Sequence, residues 1–285
     1  MRIGAAEIGT GHPCFIIAEV GMAHDGSLGM AHGFIEAIAE AGADAVKFQC
    51  HIAAAESHIG EPWRVAPLWP QDSDRFHYWL RTGFGPHEWA GLAKHAEDVG
   101  LEFLCSPFSV EAVRLLNPLV PAWKVASGEV GHTALFEAIA ETGKPVLLST
   151  GMSTIDEIDT AVDYFADKGI DVQPMQCTSA YPCPTNKVGL WEAAALGGLS
   201  DHSGSIYPGL GAVGMGVTVL EVHVTMSRWC WGFDVDSSIT VEELGQLVEG
   251  ARVIETAKTT VRKDDMAKEL EPMREIFMGK WRDKK

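Results

Sequence analysis

A chain of 285 residues, 46% of them hydrophobic, can bury one large core and has the natural length of a barrel built from eight strand–helix units. With 22 basic and 39 acidic residues it carries a net charge of −17, a field that repels nucleic acid and anionic lipid and argues against either as a partner. No run of eighteen apolar residues occurs, Met1-Arg2-Ile3-Gly4 does not open a secretory signal, and six cysteines (Cys14, Cys50, Cys105, Cys177, Cys183, Cys230) lie far apart without CxxC spacing, so a cytoplasmic protein with buried thiols and no membrane partner is expected.

Strand and helix patterns alternate from the start. Phe15–Glu19 is a short apolar run ending in a carboxylate; Gly21 and Gly26 break it, and Leu28–Ala41 has helical spacing closed by Gly42. Ala45–Gln49 reads as the second strand, where Lys47 and Gln49 interrupt an apolar run, and polar groups in a buried strand need a reason. Cys50 to Gly85 breaks the rhythm with Pro62, Trp63, Pro67, Trp69, Pro70, Tyr78 and Trp79, and reads as a substrate-covering excursion with short helical pieces. Alternation then resumes with helix Pro86–Val99, strand Glu102–Ser106 and a helix from about Val110. Strand Ala122–Ala126 leads into the turn Ser127-Gly128-Glu129, followed by helix Ala134–Glu141, strand Pro145–Ser149, helix Ile155–Lys168 and strand Val172–Cys177. Two strands ending in histidine, Gly198 to His202 and Val219 to His223, flank a small helix within Tyr207–Gly216. Val241–Lys258 is a long amphipathic helix with Glu242 and Glu243 in its first turn, where the helix dipole favours them. Eight such pairs predict an α/β fold, a (β/α)8 TIM barrel, as one domain over 1–285: a short N-terminal extension, a barrel core at about 13–260, a long loop after the second strand and a tail at 261–285.

In that architecture the active site lies at the C-terminal strand ends, and here those ends are polar: Glu19, Lys47, Ser106, Lys124, Ser149, Cys177-Thr178, Ser200-Asp201-His202 and His223. A purely structural barrel needs some polar strand ends, but not two lysines, a glutamate and two histidines together. Two neutral imidazoles on adjacent strand ends make a partial shell for a divalent cation, to be completed by a carboxylate and waters; each histidine alone would be a satisfied core residue. Lys47 and Lys124, on alternate strands, should face one cavity and, with hydroxyls and turn N–H groups, cradle a phosphate or carboxylate. That is the local cation cluster an anionic metabolite needs against so acidic a surface. Against this, each lysine could pair with a structural acid such as Asp44 or Glu129, or one could form a Schiff base.

The stretches Phe15–Gly21, Gly42–Gln49, Ser106–Phe108, Trp123–Glu129, Leu148–Met152, Gln176–Pro182, Leu199–Ser203 and Glu221–His223 resemble, in order, the sialic acid synthases, over about residues 10 to 275. The resemblance implies a metal-dependent condensation of phosphoenolpyruvate with an open-chain N-acetylmannosamine-like amino sugar, giving a nine-carbon 2-keto sugar acid and phosphate by C–O cleavage. By position it implies that His202 and His223 bind the divalent ion, manganese first, with magnesium or cobalt as alternatives. Lys47, Ser106, Lys124, Ser127 and Ser200 would hold phosphoenolpyruvate, with Ser179 standing where some members have asparagine. Glu19 and Glu129 fall near the reacting carbons as general acid or base, and Gln49, Tyr181 and Asp234 on the substrate side. On this reading the lysines neutralise the enol phosphate and hold it at attack distance while the metal polarises the aldehyde.

Two departures bear on the acceptor. Many members continue from near Phe277 into a small domain resembling antifreeze protein that contacts the sugar's N-acyl group; here the sequence runs Lys280-Trp-Arg-Asp-Lys-Lys to Lys285. Asp234 is followed by Val235 where histidine is expected, in a loop crowded by Trp229, Cys230, Trp231 and Phe233. The excursion, through Trp63 and Trp69, is expected to supply acceptor contacts instead. The expected partners are phosphoenolpyruvate and a sugar aldehyde, in a homodimer. The alternatives are a phosphoenolpyruvate-dependent aldol synthase for another aldose or aldehyde, metal-assisted hydrolysis of a single substrate, and a non-catalytic barrel scaffold.

Overall fold

The computed structural model describes residues 1–63 and 71–278, so Pro67, Trp69, Pro70 and the terminal Lys280–Lys285 lie outside the described residues. Its centre is a parallel sheet of eight strands: β1 (Phe15–Gly21), β2 (Ala45–Cys50), β3 (Glu102–Pro107), β4 (Trp123–Val125), β5 (Val146–Ser149), β6 (Val172–Cys177), β7 (Gly198–Asp201) and β8 (Val219–Thr225). Ladders join them in the order β3-β2-β1-β8-β7-β6-β5-β4, and β3 and β4 lie side by side to bring the sheet nearly closed. Helices α1 (Leu28–Ala41), α2 (Pro86–Asp98), α3 (Val110–Leu116), α4 (Thr133–Ala140), α5 (Ile155–Ala166), α6 (Leu190–Leu196), α7 (Ile206–Met215) and α8 (Val241–Ala257) follow the strands in turn. The expected barrel is the observed fold.

The helices begin and end where their sequences dictate. Ser27 accepts the Met30 N–H to start α1, Thr154 with Glu157 and Thr240 with Glu243 form reciprocal caps on α5 and α8, and Gly42, at φ 81°, stops α1 in the left-handed region. Pro86 sits at the first helical position of α2.

Period-two alternation explains the polar residues inside buried strands. Ile16, Ala18, Val46, Phe48, Phe103, Cys105, Trp123, Val125, Leu148, Leu220 and Val222 face outward and pack with the helices in the main core. Their neighbours face inward, where Phe15, Ile17, Ala45, Leu104, Ala122, Leu147, Met175 and Val219 fill the lower barrel; Ile3 and Ile8 of the N-terminal extension plug it from below. Above this layer the same inward rows continue as Glu19, Lys47, Ser106, Lys124, Ser149, Ser200, Glu221 and His223, all buried. The apolar plug keeps water from reaching these groups from beneath.

Among the described residues the excursion contains two short helices, Ala53–Glu56 and Arg75–Thr82, the second capped by Asp74, which accepts the His77 N–H. One expectation for the cysteines is corrected: Cys230 is exposed, while the other five are buried free thiols. Among the described residues no helix is long and apolar enough to cross a membrane.

Candidate active site

The inward polar layer and the excursion enclose a cavity of about 1010 Å³. Its lining includes Glu19, Lys47, Gln49, Ser106, Lys124, Ser127, Glu129, Ser179, Tyr181, Ser200, His202, His223 and Asp234, so the residues to which the resemblance gives a catalytic, substrate or metal role reach one space, while Cys177, Thr178 and Asp201 do not line it.

Its base is built from two ammonium groups and two carboxylates. Lys47 Nζ lies 2.6 Å from Glu19 Oε2 and 3.8 Å from Glu221 Oε2, and Lys124 Nζ lies 3.6 Å from Glu221 Oε1. Serine hydroxyls complete the set: Lys47 donates to Ser106 Oγ at 3.1 Å, Lys124 to Ser149 Oγ at 2.6 Å, and Ser200 Oγ to Glu221 Oε1 at 2.9 Å. Burial works against the Lys47 charge, but Glu19 and Glu221 outweigh it and hold that ammonium above its ordinary pKa. For Lys124 burial wins over the attraction of Glu221, and the nearby Lys47 adds to it, so its pKa is lowered. Burial alone would raise Glu221; Lys124 and Lys47 overcome it and hold the group ionised, below the usual carboxylate range.

This geometry corrects two sequence expectations. The lysines do pair with acids, but not with Asp44 or Glu129: Asp44 bridges to Arg252 at 2.8 Å and Glu129 meets His132 Nδ1 at 2.8 Å. Nor are the two lysines an unopposed cation cluster, because Glu19 and Glu221 match them. Glu221 is the residue that sequence reasoning passed over. Its signal was its place on the inward row Val219, Glu221, His223 of an otherwise apolar strand.

The histidines come together as their strand positions require. Val222 pairs with Asp201 in the β7–β8 register, so the next residues, His223 and His202, are neighbours, with ring centroids 4.9 Å apart. Tyr181 meets His202 edge-on at 4.6 Å. His202 Nδ1 lies 3.6 Å from Cys177 Sγ, and His223 Nδ1 is buried with no hydrogen-bond partner. Burial first, then the neighbouring His223, pushes His202 well below the ordinary histidine range, which keeps the ring neutral and able to ligate. Asp201 does not join them; its carboxylate accepts the Ser203 N–H at 3.1 Å and hydroxyl at 2.7 Å. Among the described residues no three His, Cys, Asp or Glu side chains converge on a closed metal shell.

Two glycines make room for the polar walls. A Cβ on Gly151 would stand 2.4 Å from Ser179 Oγ, 2.8 Å from Cys177 Sγ and 2.9 Å from Ser127 Oγ, which itself accepts the Gly151 N–H at 2.9 Å. Gly21, at φ +53°, ends β1 where Asp234 Oδ2, Gln49 Nε2 and Glu19 Oε1 all approach to 3.4 Å of a Cβ position. Over the mouth lies the excursion: Trp63, Tyr78 and Trp79 line the cavity, and the Trp63 ring packs 5.4 Å from Phe233. Trp69, the other expected contact, is outside the described residues.

A family model described as the NeuB family matches residues 34–263. The chain is 33% identical over 257 residues to the N,N'-diacetyllegionaminic acid synthase of Campylobacter jejuni, covering 85% of this chain and 76% of that one. It is 31% identical over 262 residues to the human N-acetylneuraminate-9-phosphate synthase, covering 88% and 72%. Among solved structures, the N-acetylneuraminic acid (sialic acid) synthetase of Leptospira borgpetersenii, in complex with citrate, superimposes with a TM-score of 0.83 at 29% identity, covering 100% of this chain and 98% of that one.

Proposed function

The chain belongs to the NeuB family of sialic acid-type synthases, and on that premise we propose that it condenses phosphoenolpyruvate with an open-chain, N-acetylmannosamine-like amino sugar, giving a nine-carbon 2-keto sugar acid and phosphate. The observation that carries this reading is the juxtaposition of two buried lysines, each bonded to a serine, with two neighbouring imidazoles at one barrel mouth. An anionic donor fits the first half and an aldehyde held through a cation fits the second.

His202 and His223 suit a divalent cation as two of its ligands: one ring is held neutral, and the other has a buried nitrogen without a partner. Manganese is proposed, with magnesium or cobalt as alternatives. When bound, such an ion withdraws electron density from an aldehyde oxygen. The protein's own groups account for the rest. Lys47 and Lys124, with the hydroxyls of Ser106, Ser127, Ser179 and Ser200, bind and orient the donor's phosphate and carboxylate. Gln49, Tyr181 and Asp234 face the sugar. Glu19 or Glu129 serves as the general acid or base of the condensation.

The acceptor is proposed to be unphosphorylated. Among the described residues the outer cavity presents Glu56, Glu61, Glu111, Glu129 and Asp234 against Arg75, which is itself bridged to Glu61 at 2.6 Å. Such a wall repels a second phosphate and suits hydroxyl groups. The test is phosphate release from phosphoenolpyruvate with manganese across a panel of aldoses led by N-acetylmannosamine and its phosphorylated form, with His202→Ala as control. Release that requires metal and an unphosphorylated amino sugar is expected. Failure to release phosphate with any aldose, together with no calorimetric binding of phosphoenolpyruvate, would overturn the proposal.

A further inference from the structure

One buried polar side chain at the start of the excursion is not used by the condensation chemistry above. His51, just after β2, is buried, and its ring is stacked between two aromatic faces: Trp79, with centroids 3.6 Å apart and planes 7° from parallel, and Phe108, at 4.1 Å and 18°. Its Nδ1 lies 2.9 Å from Glu56 Oε2, and the other oxygen of Glu56 accepts the Ile52 N–H at 2.7 Å. Its Nε2 lies 3.2 Å from Gln49 Oε1. Gln49 Nε2 in turn donates to Glu19 Oε1 at 2.9 Å, and the other oxygen of Glu19 meets Lys47.

The inner end of this hydrogen-bonded row fixes the direction of every bond. Glu19, a carboxylate paired with Lys47, only accepts, so Gln49 turns its NH₂ toward it and its carbonyl toward His51. A carbonyl oxygen only accepts as well, so His51 Nε2 must carry a hydrogen. The Glu56 carboxylate requires the same of Nδ1. Reversing the Gln49 carboxamide would set its oxygen against that of Glu19, with no hydrogen between them.

We propose that His51 is an imidazolium whose two N–H bonds lock Gln49, and through it the Glu19 carboxylate, at the donor end of the cavity. It is a positioning residue for the condensation, and the kinetic part of this inference rests on the function proposed above. The aromatic sandwich suits a cation, since both ring faces turn negative π density toward it. Among the described residues, Glu56 faces His51 and so, from the turn after β1, does His24; burial keeps His24 neutral and the His51 charge adds to that effect. Glu56 is therefore the counterion, and Trp79 and Phe108 exclude the water that would compete for either N–H.

The test has an arm independent of turnover. In ¹⁵N spectra of the full-length protein at pH 7, both ring nitrogens of His51 should resonate as imidazolium, and Glu56→Gln should convert the ring to a neutral tautomer. A neutral wild-type ring would overturn the proposal even if the enzyme proves inactive on every aldose. In the kinetic arm, His51→Phe keeps the stack and removes both donors; kcat should fall on the order of ten- to a hundredfold, the range for losing an outer-shell partner, with the phosphoenolpyruvate KM unchanged. His51→Gln, which returns one N–H toward Gln49, should recover part of the loss. An unchanged kcat in His51→Phe, or equal losses in the two variants, would refute the positioning role.

Discussion

Glu221→Gln separates the electrostatics of the cavity base from its packing, because the amide keeps the shape and still accepts from Ser200. In the wild-type protein the Glu221 carboxylate stands 3.8 Å from Lys47 and 3.6 Å from Lys124. At such separations and an effective dielectric of about 20, each contact is worth roughly 4 kcal/mol before desolvation is counted. Lys47 keeps Glu19 after the substitution; among the described residues Lys124 keeps its bonds to Ser149 Oγ and the Val125 carbonyl but no carboxylate in ion-pair contact. Removing one partner of a buried pair costs about 3–5 kcal/mol, which for a domain of this size lowers Tm by roughly 5–8 °C. Scanning calorimetry of the unliganded protein at pH 7 measures it. Two controls isolate the cause. Saturating phosphoenolpyruvate should raise Tm more in the variant than in the wild type, because the donor's anionic oxygens take the place of the missing carboxylate. Adding Lys124→Met to Glu221→Gln should cost less than the two single changes together, since each removes the other's unpaired charge. Equal ligand stabilisation of both proteins, or strict additivity, would refute the charge-balance account.

Three further outcomes follow from particular contacts. Burial pushes the His24 imidazole down to about 4 from an ordinary 6.5; the unfolded chain therefore takes up its proton first as pH falls, and about 3 kcal/mol of stability is lost between those values. His24→Phe should flatten that part of the stability profile, though His202, shifted in the same direction, leaves some slope; denaturant titrations at pH 7 and pH 4.5 measure the difference. Gly21→Ala places a Cβ in the left-handed region beside Asp234, Gln49 and Glu19 and should cost about 1–2 kcal/mol in stability as well as lowering kcat; a variant with wild-type Tm would show that the turn relaxes freely. Trp63→Ala should raise the acceptor KM about tenfold, the equivalent of one aromatic contact, and leave the phosphoenolpyruvate KM alone; a shift in both would place Trp63 in general lid packing instead.

Strand residues were legible because strand geometry is local. Alternation sends Glu19, Lys47, Lys124 and His223 inward whatever the helices do, and the barrel's strand order then gathers them at one mouth. Glu221 obeys the same rule, two residues before His223 on the same inward row, and was passed over because it lies inside the strand and not at its end; the ion pairs to two other strands show what it does. His51 was illegible for a different reason. Its stacking partners, Trp79 and Phe108, lie 28 and 57 positions further along the chain, in segments with no repeating pattern to align them. The pairing of Lys47 and Lys124 with Glu19 and Glu221 was illegible for the same reason, since only the closed barrel sets these carboxylates beside the lysines.

That pairing changes what must attract an anionic donor. A net charge of −17 repels it from a distance, and a base of Lys47, Lys124, Glu19 and Glu221 offers no excess positive charge at close range. What the base does offer is orientation. Ser106 and Ser149 each accept from a lysine, and Ser200 donates to Glu221, so in the unliganded protein the hydroxyls occupy bonds that a phosphate or carboxylate oxygen can take over. The lysines are already stripped of water by the folded barrel, so binding exchanges one set of short polar contacts for another without the cost of desolvating them again. Affinity then depends on geometry more than on net field, and it should respond weakly to added salt, unlike association steered by exposed charge. A phosphoenolpyruvate dissociation constant that rises steeply between 50 and 500 mM sodium chloride would contradict this, placing the main attraction at the exposed rim instead of the buried base.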